Sequence, residues 1–132
     1  MGYAVPAAIG AAIVKPHQPV IALTGDGGLG MCLAELETIV RRQLPITVVV
    51  FNDAALSLIE IKQRDGHGGH SAVHYAPTDF AAVAAGMGMA STVVEHPSGL
   101  ARAFADADGG PYLIDARIDP SAYPELIQIT RG

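Results

Sequence analysis

Apolar positions recur along this chain in two alternating rhythms. In the Ala-rich residues 3–14, Val5, Ile9 and Ile13 stand four apart, which predicts a helix with one apolar face. Pro6 is tolerable there because it falls in the first turn. Val20–Thr24 is a short β-rich run that stops at Gly25-Asp26-Gly27-Gly28. A second helix is predicted over about 31–43, with Cys32, Leu36, Ile39 and Val40 on one face and Arg41 and Arg42 in its last turn, where cations suit the helix dipole. Ile46–Phe51 reads ITVVVF, continuous and β-branched, the mark of a strand covered on both faces. It ends at Asn52-Asp53, and a short helix over about 55–63 follows. Residues 64–76, polar and rich in Gly and His, read as a loop. Thr78 is expected to cap a helix carrying Phe80, Val83, Ala84 and Met87, with Gly88 past its end. Thr92–Glu95 reads as a strand, Ser98 as the cap of a helix through Leu100 and Phe104, and Tyr112–Ile118 as the last strand before an irregular tail. Such alternation implies an α/β fold: a parallel sheet with right-handed crossovers, flanked by helices in three layers.

Composition narrows the class. The 132 residues are half hydrophobic, 16% charged and 5% aromatic, enough for one domain whose Ala, Val, Ile and Leu suit helices packed on a buried sheet. The formal net charge is −5 and no Lys/Arg cluster occurs, which excludes the electrostatic footprint of a nucleic-acid binder. Cys32 is alone, so no internal disulfide forms and a reducing cytosol is expected. No apolar run reaches the length of a membrane span, and no signal-peptide pattern occurs. The expectation is a soluble, cytoplasmic domain without membrane or nucleic-acid partners.

In parallel sheets, ligands sit at the carboxyl ends of strands. Two predicted strand ends carry an acid beside small residues: Thr24-Gly25-Asp26-Gly27-Gly28 and Phe51-Asn52-Asp53-Ala54-Ala55. The first, continued through Leu29-Gly30, also satisfies the dinucleotide pattern G-x-G-x-x-G, and Asp53 follows Gly30 by 23 residues, near where a ribose-binding acid falls. Against an NAD site stands Asp26, inside the turn where a pyrophosphate meets backbone N–H groups. A carboxylate about 4 Å from a phosphate charge costs about 4 kcal/mol at an effective dielectric near 20. A cation between them reverses the sign. Two acids at neighbouring strand ends plus a carbonyl make a hard oxygen site that suits Mg²⁺ carrying substrate phosphates, and the glycines bring N–H groups and a helix start to a diphosphate. Either acid alone is better read plainly, Asp26 as a turn residue and Asp53 as an Asx cap. The pair at this spacing favours the metal.

On these residues the chain resembles the C-terminal cofactor domain of thiamine diphosphate (ThDP)-dependent decarboxylases and carboligases, the acetolactate synthase-like group in particular. That motif begins GDG and ends NN or ND; here it runs from Gly25-Asp26-Gly27 to Asn52-Asp53. The opening MGYAVPAAIGAA is similar to the family's MGxxxPAAIGA, and Glu35-Leu36-Glu37-Thr38 to its EL-x-T helix. The resemblance covers nearly the whole chain. It implies Mg²⁺ ligands at Asp26, Asp53 and the Ala55 carbonyl, diphosphate contacts at Gly27 and Gly28, and further cofactor contacts at Gly25, Leu56 and Ser57. Met1 would support the bent cofactor, and Leu58 and Ile59 would line the substrate pocket. The implied activity is that of a lyase or transferase acting on 2-oxo acids. The glutamate that activates the cofactor is expected outside this chain, on a pyrimidine-binding domain or subunit that nothing here resembles. The ThDP fold is expected to lack its first strand and helix, which predicts an inactive isolated chain and self-association into a homo-oligomer through an exposed edge.

His67, His70 and His74 stand three and four apart in the Gly-rich loop; a lid over the pocket is preferred to a transition-metal site. Cys32 is read as core, and Glu60, Lys62, Gln63 and Arg64 as solvated helix-end groups. Asp79 reads as a first-turn acid, and Asp115 and Asp119 as acids near the last strand with no assigned partner.

Overall fold

The computed structural model describes residues 1–67 and 72–131. Helix α1 (Ala4–Val14) leads into β1 (Val20–Gly25), the short α2 (Asp26–Gly30), α3 (Glu35–Arg41) and β2 (Ile46–Asn52). Then come α4 (Ser57–His67), α5 (Phe80–Gly86), β3 (Ala90–Val94), α6 (Leu100–Asp106), β4 (Tyr112–Arg117) and α7 (Tyr123–Arg131). The four strands form one parallel sheet in the order β1-β2-β4-β3, flanked by helices as the α/β alternation predicts.

The period-2 geometry of the strands divides the core. Ala22, Ile46, Val48, Val50 and Leu113 face one side, where Val5, Ala8, Ile9 and Ala12 of α1, Leu36 and Ile39 of α3, and Phe80 and Ala84 of α5 cover them. Val49, Ile114, Ala116 and Tyr112 face the other, under Ala103 and Ala107 from α6 and its C-terminal turn. That second layer stops short of β1. Ile21, Leu23 and Phe51 are 57%, 58% and 42% exposed, and the register sets Leu23 beside Val49 and Gly25 beside Phe51. The expectation that β2 is covered on both faces therefore holds for Val48–Val50 and fails at Phe51.

Several element boundaries differ from those predicted. The face of α1 turns on Val5, Ala8, Ile9 and Ala12, and Ile13 is half exposed. The turn at Asp26 is itself a helix, five residues long, although three of the five are glycine. Asp79, not Thr78, caps α5, its carboxylate accepting from the Ala82 N–H at 2.8 Å. Ser98 makes no side-chain cap and lies in the single 3₁₀ turn Pro97–Gly99, while Phe104 is partly exposed and Ala103 takes the buried position. Helix α4 continues to His67, through the start of the expected loop. The tail is helical: Asp119 accepts from the Ser121 N–H and hydroxyl, both at 2.9 Å, to cap the turn Pro120–Ala122 that starts α7. Among the described residues no helix is long and apolar enough to cross a membrane.

Candidate functional site

The parallel register aligns the tips of β1 and β2. Gly25 pairs with Phe51, so Asp26 emerges level with Asn52, one residue before Asp53. Asp26 is almost fully buried, and its carboxylate is held from two chain segments. Oδ1 accepts from the Gly27 N–H at 2.6 Å and Oδ2 from the Ala54 N–H at 2.8 Å. The second bond ties the β1 tip to the β2 tip. It requires Ala54 to adopt φ +58°, a left-handed conformation that costs a residue with a Cβ about 1–2 kcal/mol.

Asp53 performs the plain role considered for it and also faces the site. Oδ1 accepts from the Ala55 N–H at 3.2 Å, and Oδ2 from the Ser57 hydroxyl at 2.6 Å, satisfying groups at the entry to α4. With Asp26 it lines a cavity of about 270 Å³, together with Met1, Gly25, Gly27, Gly28, Ala55, Leu56 and Ser57. Leu58 and Ile59 line the same cavity, so every position singled out from the sequence as a cofactor, metal or pocket residue meets there.

Both central glycines stand close against neighbouring side chains. A Cβ on Gly27 would lie 2.5 Å from Leu56 Cδ2 and 3.4 Å from Met1 Cε; one on Gly28 would lie 2.7 Å from Thr24 Oγ1. Gly27 spends its N–H on Asp26. Gly28 follows it in the first turn of α2, where N–H groups have no acceptor within the helix.

Residues 72–75 return to this site. Leu56 donates to the Val73 carbonyl at 2.8 Å and Tyr75 to the Ala54 carbonyl at 3.2 Å, forming an antiparallel bridge between Ala55 and His74. Those two bonds leave the Ala55 carbonyl outside the pairing. Burial, hydrogen bonding to Asp26 and the charges of Asp26 and Asp53 push the Tyr75 phenol well above its usual range. Tyr123, at the start of α7, also lines the cavity, and burial with the charges of Asp53 and Asp26 raises its phenol. The sequence reading missed both tyrosines. Asp119-Pro120, an N-cap and first-turn pair, was the available signal for the second.

Behind the β2 tip lies a buried polar network. Asp115 is fully buried; Oδ1 accepts from Asn52 Nδ2 at 2.9 Å, and Oδ2 from the Phe80 N–H and Arg117 Nη2, both at 3.0 Å. Asn52 donates as well to the Thr78 carbonyl at 2.9 Å. Asp115, without an assigned partner in the sequence, therefore joins β2, β4 and the start of α5.

Of the three loop histidines, only His74 has a described side chain. His70 lies outside the described residues, His67 ends α4, and His74 Nε2 stands 3.2 Å from the Glu60 carboxylate. Glu60, expected to be solvated, is only 8% exposed. Among the described residues no group of three or more His, Cys, Asp or Glu side chains could hold a metal, so a cation here would rest on two carboxylates and neutral oxygens. A larger groove of about 920 Å³ lies at the β3 and β4 tips, but Asp79, Glu95 and Asp106 offset Arg102 and Arg117 there, and it lacks the glycine turn and the acid pair.

Residues 1–116 match the family described as thiamine pyrophosphate enzyme, C-terminal TPP binding domain. The chain belongs to that family. It is 37% identical over 124 residues to the acetolactate synthase of Bacillus subtilis, covering 92% of this chain and 22% of that protein. A probable acetolactate synthase large subunit of Methanococcus aeolicus is 35% identical over 132 residues, 96% of this chain and 22% of the relative. The sulfoacetaldehyde acetyltransferase of Castellaniella defragrans is 34% identical over 96 residues, 72% of this chain and 16% of the relative. This TPP-binding domain thus spans about a fifth of the length of the curated relatives it matches. The match falls to the TPP family and gives no support to the dinucleotide alternative.

Proposed function

We propose that this domain anchors the diphosphate of ThDP through Mg²⁺ held by the Asp26 and Asp53 carboxylates and the Ala55 carbonyl, within a 2-oxo acid decarboxylase or carboligase of acetolactate synthase type. The observation that carries the reading is the meeting of both acids and the glycine turn in one cavity. The donor set fits: hard oxygens, few in number, leave coordination positions for phosphate oxygens. The glycine turn fits as well, since Gly25, Gly27 and Gly28 line the cavity beside both acids.

When bound, ThDP supplies carbanion-stabilising chemistry that side chains lack. The chain's own residues bind and orient. Asp26 and Asp53 neutralise the cation, and first-turn N–H groups of α2 face the diphosphate. Met1, Leu58 and Ile59 give the cavity an apolar wall that supports the cofactor and excludes water. A pyrimidine-binding domain or partner subunit supplies the activating glutamate, so the isolated chain is inactive. The uncovered apolar strip at Ile21, Leu23 and Phe51 supports an assembly with further protein, a homo-oligomer included, in the cytoplasm.

Titration calorimetry with ThDP, with and without Mg²⁺, tests the assignment. Binding is expected to need Mg²⁺, to vanish with a chelator, and to be lost in Asp26→Ala. Undiminished ThDP affinity in that variant, or Mg²⁺-independent binding of NAD(H), would overturn it.

A further inference from the structure

One segment contacts the site without belonging to its proposed ligand set. Residues 72–75 run back across the β2 tip, with Val73 almost fully buried and its carbonyl accepting from Leu56. The Tyr75 N–H reaches the carbonyl of Ala54, whose own N–H reaches Asp26 Oδ2. The neighbouring His74 bridges to Ala55 and pairs with Glu60. The Tyr75 side chain then turns toward the glycine turn, its hydroxyl 3.5 Å from where a Cβ on Gly27 would stand. There it meets the Asp26 carboxylate and feels the charge of Asp53.

Resting on the metal reading above, we propose that Tyr75 is a positioning residue for the cation site, its hydroxyl fixing the Asp26 carboxylate in the orientation that ligates Mg²⁺. An ionised carboxylate offers about four lone-pair directions. The Gly27 N–H and Ala54 N–H take two, and the Tyr75 hydroxyl, beside the same glycine turn, is placed to take a third. The fourth is left for the metal, and the carboxylate can no longer rotate away from it. Backbone and side chain of Tyr75 act together, one locating the Ala54 peptide and the other the acid it holds. Tyr123, which lines the same cavity, meets Asp26 only through its charge.

The test uses Tyr75→Phe, which keeps the ring and removes the hydroxyl. Mg²⁺ affinity is measured by calorimetry at saturating ThDP, and ThDP affinity at saturating Mg²⁺, beside the melting temperature. Loss of a hydrogen bond to a charged group predicts Mg²⁺ affinity weaker by about tenfold, with ThDP affinity at saturating Mg²⁺ within about twofold of the parent. A merely structural role would weaken both together with the melting temperature, and that result overturns the proposal. So does unchanged or tighter Mg²⁺ binding, the latter meaning that the hydroxyl competes with the cation. Tyr75→Leu separates the ring from the hydroxyl: it should match Tyr75→Phe in Mg²⁺ affinity, and a further loss of similar size would assign the effect to packing. A parent chain that binds ThDP only without regard to Mg²⁺ defeats the underlying metal reading and this proposal together. A parent that needs Mg²⁺ beside an unaffected Tyr75→Phe defeats this proposal alone.

Discussion

Replacing Asp115 by Ala probes how the β2 tip is held. The carboxylate is fully buried and takes three donors. Its removal leaves the Phe80 N–H at the start of α5 without an acceptor, worth about 1–3 kcal/mol. It also leaves Arg117 uncompensated, with Nε already buried and unpartnered. Breaking a buried ion pair from one side costs about 3–5 kcal/mol; since the Arg117 side chain is 29% exposed and can turn toward water, the low end applies. Asn52 keeps the Thr78 carbonyl and adds little. A loss of about 3 kcal/mol is a large share of the roughly 5–15 kcal/mol stability of a small domain, and lowers the melting temperature by roughly 10 °C. Urea denaturation followed by circular dichroism measures it directly. Asp115→Ala/Arg117→Met, which removes both charges, should recover to within about 1.5 kcal/mol of the parent. A single variant losing less than about 1 kcal/mol, or a double variant as unstable as the two losses summed, would refute the account of a paired and buried network.

Four further outcomes are expected. Gly28→Ala sets a Cβ 2.7 Å from the hydroxyl of Thr24, whose β-branched side chain has little freedom to move; thermal denaturation should show a loss of about 1–3 kcal/mol. At position 54, where φ is +58°, Val should cost about 1–2 kcal/mol while Gly is tolerated, and equal melting temperatures for the two would contradict the strain. Folding raises the phenols of Tyr75, Tyr112 and Tyr123, so their stabilising contribution is complete below the unfolded value near ~10 and is lost as pH rises through the higher folded values. Phenolate absorbance should therefore appear later in the folded chain than in urea; coincident curves would count against it. Leu23→Lys, on the uncovered strip, should reduce self-association in light scattering, whereas a parent already monodisperse as a monomer would argue against association through this face.

Much of the fold was readable because period and length agreed. The run of Val48, Val49 and Val50 could only be a buried strand, and each acid at a strand tip followed from where its run ended. The helix at Asp26–Gly30 was hidden because glycine disfavours helix locally, and tertiary packing overrides that preference here. The last helix was missed for a different reason: Leu126 and Ile129 stay exposed, so these two apolar positions set up no buried helical face. Tyr75 left no trace in local pattern, since its contact with Asp26 spans 49 residues and depends on a strap whose course is set by Ala54–Leu56. The partners of Asp115 were equally non-local, drawn from two other elements. Ile13 and Phe104 kept helical spacing yet point outward, where Ala8, Ala12 and Ala103 allow closer approach to the sheet.

Ala54 joins Asp26 on one strand tip to Tyr75 on the returning segment through the two peptides that flank it, its N–H on one and its carbonyl on the other. An ion that settles on Asp26 should accordingly slow solvent exchange of the Ala54 amide proton, which that carboxylate accepts.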